Sequence, residues 1–600
     1  MNGNISKLVA CHNKLSVLAN TTFSSTGKLQ AIILRYNEIH KLETGTFRYL
    51  NELQELDLGY NLIEYVDENL FKYSRLYKLN LEHNSISYFS PNMLKYANDF
   101  WKLTIGHNNI SEVHAYTFLN TSIMEIDISR NVINVIDHKV FQNNGKISKL
   151  DMSSNVISEL HCDILKSAHV LRHLNISHNK IISLDVNLFS NNIYLEILDL
   201  SNNAIEHIKP TTFKNNSGLD ILDMSNNKLF SLHKDIFLYN VGITSIDISC
   251  NNIGYIHPDT FKENKELSVL NMRENKLGIK DEQIFFHNSK LQMIDLSRNI
   301  IATINPKTFV GNTEIRHLNM SANIITELIP GTFDNNRNLI DVDISYNMIT
   351  DLDHKIFSVI PVKILNLRGN KLSIKEKYVP FLNASILEKL DLGSCGITTL
   401  PPKTFQGMLN LKELALDNNH LKLPVRSGPE NNVFRNLHQL SKLDLSRNNI
   451  TVMSSSLLND TNNLKLLNLS FNPVICNGCR TEDIGIWCST RSVQCVARCN
   501  SEEGTVTSVS CMNSASKNKS MSHRVAKVSV RNIQHRNSQS QVVNKKELGE
   551  SKTDVRGQVI SVAAFVSLGV CCALILTGSV LAVIITRRRR RRERSRHYLD

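Results

Sequence analysis

The residues best suited to chemistry in this chain recur at a fixed interval instead of converging on one point. Just before a periodic asparagine stand His12, Tyr36, Tyr60, His83, His107, Arg130, Ser154 and His178. Aromatic, imidazole and guanidinium groups in one file suit recognition of a protein surface, and imidazole would make that recognition pH-responsive. A second file is acidic, with Asp127, Asp151, Asn175, Asp199, Asp223 and Asp247. No positioned histidine or metal triad accompanies those carboxylates, so they do not read as a catalytic pair. The expectation is a binding protein and not an enzyme, with no cofactor and no metal. Near the end of the periodic region lie Cys476, Cys479, Cys488, Cys495, Cys499 and Cys511. Their opening C-x-x-C is compatible with zinc, whereas an extracellular setting favours disulfides of open connectivity.

Repeats position these files. LQELDLGYN (53–61), LRHLNISHN (171–179), LEILDLSNN (195–203) and LKLLNLSFN (464–472) share L-x-x-L-x-L-x-x-N. The asparagine recurs from Asn13 to Asn472, mostly 24 residues apart, over 20 repeats with Cys395 standing in once. The L-x-L segment predicts a short strand with leucines inward. One repeat cannot bury its apolar face alone, so neighbours stack and their strands form a parallel sheet. A buried asparagine amide both donates and accepts, which lets it bridge the backbones of adjacent turns. Ten residues after most of these asparagines stands a phenylalanine, from Phe23 to Phe405. That column predicts an aromatic spine on the side away from the strands.

These columns resemble the extracellular leucine-rich-repeat superfamily in its 24-residue form, from Ile5 to Asn472. The resemblance implies an α/β solenoid, a horseshoe with a parallel β-sheet on its concave face. The cysteines after Pro473, with Trp487, resemble that superfamily's cysteine-rich C-terminal flank. Its usual spacing is C-x-C, so its pairing is not carried over. VACHNKLSVL (9–18) resembles the end of the N-terminal cap, with Cys11 as the cap's last cysteine. With no secretory leader visible, the expectation is a chain truncated at its start.

The 600 residues carry a net charge of +12, but residues 1–511 hold 50 basic and 51 acidic side chains. The excess lies in 512–558, with 10 basic and 3 acidic, and in 587–600, with 8 and 2. A neutral body argues against a nucleic-acid partner. Residues 559–586 are uncharged and long enough to span a bilayer as one helix. The arginine run 587–592 predicts a cytoplasmic tail that attracts anionic inner-leaflet lipid. The expected order is therefore a solenoid (1–472), a cysteine-rich cap (473–511), a disordered basic stalk (512–558), a transmembrane helix (559–586) and a polybasic tail (587–600). That order implies a single-pass type I protein of the plasma membrane with an extracellular ectodomain.

One repeat is broken. Extra residues between Asn419 and Phe434 predict a protruding loop carrying Arg426 and Glu430, a second candidate binding feature. Glycosylation sequons include Asn20, Asn109, Asn120, Asn215, Asn383 and Asn459. Asn175, Asn319 and Asn468 are also sequons, but lie within predicted strands. The ectodomain resembles those of Toll-type receptors and chaoptin-like adhesion proteins, yet only 14 residues follow the spanning segment. The resemblance implies a surface protein that binds an extracellular protein, or its own copy on another cell, in adhesion or as a receptor or co-receptor. The alternatives are a Toll-like signalling receptor cut short of its TIR domain, or a structural homophilic adhesion or matrix protein.

Overall fold

The computed structural model describes residues 5–279, 283–374, 380–423, 432–473 and 482–496. Within these the L-x-L segments form three-residue strands such as Glu55–Asp57 and Ile221–Asp223, their central leucines fully buried. Twenty-one strands make one parallel sheet in chain order, from Lys7–Val9 to Gln494–Val496. Register is kept, so Asp199, Asp223 and Asp247 lie side by side on neighbouring strands. The phenylalanine spine is present, with neighbouring rings stacked 5.7 to 6.4 Å apart. Strands sit only about 4.8 Å apart, so the coils fan open on the spine side and the strand face is concave.

The expected α/β character needs correction: this is a β-solenoid. Away from this sheet the coils are turns with occasional 3-10 segments and two short strand pairs, Val17–Leu18 with Lys41–Leu42 and Glu112–Val113 with Val135–Ile136, and Glu482–Thr490 is the one α-helix among the described residues. A second asparagine ladder, outside the L-x-x-L-x-L-x-x-N columns, runs along this side of the middle coils. Asn192, Asn216, Asn240, Asn264, Asn288, Asn312 and Asn336 stand three residues after a spine phenylalanine and are almost fully buried. Asn240 Nδ2 donates to the carbonyls of Phe213 (3.1 Å) and Asn216 (2.8 Å), both in the preceding coil. The Phe213 carbonyl also closes a tight turn onto Asn216 N–H. The same carbonyl thus serves a turn within its own coil and an amide of the next, which ties the turns of neighbouring coils together.

The expected ladder behaves as the repeat implies. Asn251 Nδ2 donates to the Met224 and Ile248 carbonyls, and its Oδ1 accepts Leu229 N–H at 2.9 Å. Cys395 replaces one such amide, its thiol donating to the Leu367 carbonyl at 3.2 Å. Burial pushes that thiol up to about 11, which keeps it a donor.

In the C-terminal flank Cys488 and Cys495 form a disulfide. Trp487 is buried beside it, and Gln494–Val496 extends the sheet. Cys476, Cys479, Cys499 and Cys511 lie outside the described residues, as do the stalk, the expected spanning segment 559–586 and the polybasic tail. Among the described residues no helix is long and apolar enough to cross a membrane.

Candidate ligand-binding surface

The turn after each strand holds the residue before the ladder asparagine in the left-handed region. His12, Tyr36, Tyr60 and His107 have φ of 56°, His83 53°, and Arg130 and His178 52°. That conformation costs a non-glycine residue roughly 1–2 kcal/mol, and it gives every side chain in the file the same outward direction. Rings in consecutive coils therefore stack. Centroids are 4.5 Å apart for His12–Tyr36, 4.4 Å for Tyr36–Tyr60, 4.0 Å for Tyr60–His83 and 3.7 Å for His83–His107. Ring faces cover one another, so a partner meets ring edges carrying phenol and imidazole polar atoms.

Arg35 braces the ladder. Its guanidinium lies 5.6 Å from the Tyr36 centroid and 5.1 Å from that of Tyr60, and pairs with Asp57 and Glu82. Burial, His83 and Arg130 hold the His107 imidazole below its ordinary range. Arg130 continues the file as an exposed cation. His178 shares the backbone conformation, but Ser154 and Asn202 flank it, so the ring ladder does not reach it. Arg426 and Glu430 lie outside the described residues.

The acidic file is built into the sheet. Asp247 Oδ1 accepts the N–H and hydroxyl of Ser249, and its Oδ2 accepts Asn271 Nδ2 at 2.7 Å. Asn319 serves Asp295 in the same way, and Asn366 serves Asp343. Where three aspartates are consecutive no such amide intervenes. Burial, with Asp247 and then Asp199 adding like charge, pushes Asp223 up to about 7. A second bridging arginine, Arg368, spans two coils to hold Asp391 and Asp417. A side chain at residue 393 would collide with its guanidinium, which explains Gly393. Neither arginine was anticipated, although both interrupt a column that is mostly serine.

His161, Cys162 and Asp163 place their ligand atoms within 4.8 Å of one another. The His161 ring, however, accepts the Asp163 N–H at 3.1 Å, a turn cap that His233 repeats with Asp235 and His257 with Asp259. Of the sequons, Asn109, Asn120, Asn215, Asn383 and Asn459 are exposed and Asn20 is half-buried. In the strands, Asn175, Asn319 and Asn468 each direct Nδ2 at the preceding coil's aspartate.

The family described as Leucine rich repeat matches residues 3–63, 101–157, 169–229, 280–325 and 385–423. These segments are leucine-rich repeats. Mouse podocan is 34% identical over 122 residues, 20% of this chain and 18% of podocan. Toll-like receptor 7 of Drosophila melanogaster is 32% identical over 117 residues, 18% of this chain and 8% of the receptor. The matched segments thus span under a fifth of either relative. Among solved structures, Toll in its complex with Spatzle from Drosophila has a TM-score of 0.54 at 19% identity, covering 82% of this chain and 74% of that one. The TLR13–ssRNA13 complex has 0.51 at 18% identity, covering 83% and 93%. The Leptospira interrogans protein LIC12759 has 0.58 at 21%, covering 68% and 100%. At these identities the likeness is one of fold.

Proposed function

We propose that this leucine-rich-repeat chain is a single-pass cell-surface protein that binds a protein ligand, acting in adhesion or as a receptor or co-receptor. The observation that carries the reading is the ladder of five stacked rings from His12 to His107, braced by Arg35. Rings locked by their neighbours lose little freedom when a partner docks, which favours affinity. The complex of Toll with Spatzle supports a protein ligand by analogy of fold. Sequons exposed on the solenoid and the arginine run after residue 586 support an outward-facing body.

The test displays the full-length chain on cells and pans it against secreted and surface proteins and against cells bearing the same chain. Binders should lose at least about tenfold in affinity for Y36S/Y60S/H83S, the loss typical of interface anchors. If every binder holds this variant as tightly as the parent, the ring ladder is not the site. Epitope tags at each end, read on intact and permeabilised cells, test the topology. Surface labelling of a C-terminal tag on intact cells would overturn it.

A further inference from the structure

The spine side of three successive coils carries a different array. Arg48-Tyr49, Lys72-Tyr73 and Lys95-Tyr96 directly follow Phe47, Phe71 and Leu94 at one azimuth, and all six side chains are exposed. Each cation lies over its own neighbour's ring, at 4.6, 5.5 and 5.8 Å from the centroid. No ion pair among the described residues includes Arg48, Lys72 or Lys95. In two other coils the same position is neutralised: Lys166 pairs with Asp163 at 3.5 Å and Lys262 with Asp259 at 3.9 Å, each three residues earlier, whereas Lys214 is an isolated further case, 5.8 Å from the Tyr239 centroid. At the tyrosine coils that earlier place holds Gly45, Asn69 and Asn92, which offer no carboxylate. On the strand face, Lys78 pairs with Glu55 and Lys102 with Glu125, both at 2.6 Å.

The row therefore leaves positive charge open beside aromatic rings, with a period set by the coils. Phe47 and Phe71 are 6.0 Å apart, which gives the step from coil to coil on this side. A fitting partner is a polymer with anions at intervals of several ångströms and apolar C–H faces to lie on tyrosine. A sulfated polysaccharide has both, its sulfates meeting the cations and its pyranose faces meeting the rings. Nucleic acid fits less well, because each ring already has its own cation over it and the rings do not pair to enclose a base. We propose that the row from Arg48 to Tyr96 binds a sulfated polysaccharide chain, on a surface separate from the ring ladder.

The test measures binding of a heparin dodecasaccharide to the full-length chain across a salt series, with hyaluronan and poly(U) RNA as comparison probes. The basic stalk is common to all variants, so the difference between them reads the row. R48Q/K72Q/K95Q should bind heparin about tenfold more weakly at 0.15 M salt and show a shallower salt dependence, as expected when about three ionic contacts are lost. Y49L/Y73L/Y96L should weaken binding about threefold with the salt dependence kept. K166Q/K262Q should leave binding unchanged, and melting curves should match because every altered side chain is exposed. The proposal is overturned if R48Q/K72Q/K95Q stays within about twofold of the parent, or if hyaluronan or RNA binds the row as tightly as heparin does.

Discussion

Two stretches of the solenoid use the same backbone slots to opposite ends. From His12 to His107 the left-handed slot is filled by rings that stack on one another. From Ser154 to Ala322 the slot holds mostly small or polar residues, including Asn202, Asn226 and Cys250. In that middle stretch the notable feature is the run of Asp199, Asp223 and Asp247 on the strands. Inward columns scarcely differ between the two regions: Leu56 and Leu222, and Phe71 and Phe237, are all fully or almost fully buried. Core geometry tolerates little variation, so the coils acquire individual character only where side chains leave the stack.

Substitutions separate what the regions share from what distinguishes them. The largest effect is expected for the shared frame. Asn251→Ala removes three donated bonds and strands the Leu229 N–H, at a cost of about 3 kcal/mol. Asn240→Ala loses only two donated bonds, because its Oδ1 accepts none among the described residues, and should cost about half as much. Denaturant unfolding with local hydrogen exchange reads both, and equal losses would mean that the two ladders are equivalent. Next comes Arg368→Met, which leaves Asp391 and Asp417 without their shared cation. A loss of about 2 kcal/mol is expected, not restored by lysine, which cannot span two carboxylates as a planar fork. Recovery in Arg368→Lys would refute that geometry.

Acidity should move the two regions in opposite directions. The folded state raises Asp223 to about 7, so it binds that proton more tightly than the unfolded chain does. This contribution is complete below about pH 4 and is lost as pH rises through 7. Asp223→Asn should therefore raise the melting temperature by about 2 °C at pH 7.5 and leave it unchanged at pH 4. His107 is shifted down by burial and by His83 and Arg130, so its contribution is present above its ordinary value and is lost as pH falls. Protection against hydrogen exchange in residues 60–130, corrected for the intrinsic pH dependence of the amides, should fall below about pH 6.5, and less so in His107→Phe. Identical pH profiles in the two variants would erase the contrast. The smallest effect is expected for Tyr60→Gly, where lost stacking of about 1 kcal/mol is partly offset by relief of the left-handed backbone. A loss above about 2 kcal/mol would place Tyr60 in the frame instead of on the surface.

Much of the architecture was open to reading from the chain. Leucines at period two and asparagines at 24 residues specify strands, register and the bridging amides, because each column has one chemically sensible environment. The second asparagine ladder was equally visible as F-x-x-N, yet a polar residue in a turn usually signals only a turn. Its burial depends on the neighbouring coil. The file of Tyr36, Tyr60, His83 and His107 was also visible, but not that its rings would stack face to face, since that requires the left-handed turn to aim each side chain identically. Arg35 and Arg368 could not be paired from sequence, because their carboxylates lie one and two coils further along the chain. The sequence by itself determined the repeat, the buried columns and the charge-neutral body, all consequences of local periodicity and solvation. That the coils are turns and not helices, which aspartate loses its ordinary acidity, and which of the described cations stay unpaired emerge once the coils are stacked. Those outcomes depend on distances between residues of different coils, which a repeat pattern orders but does not measure.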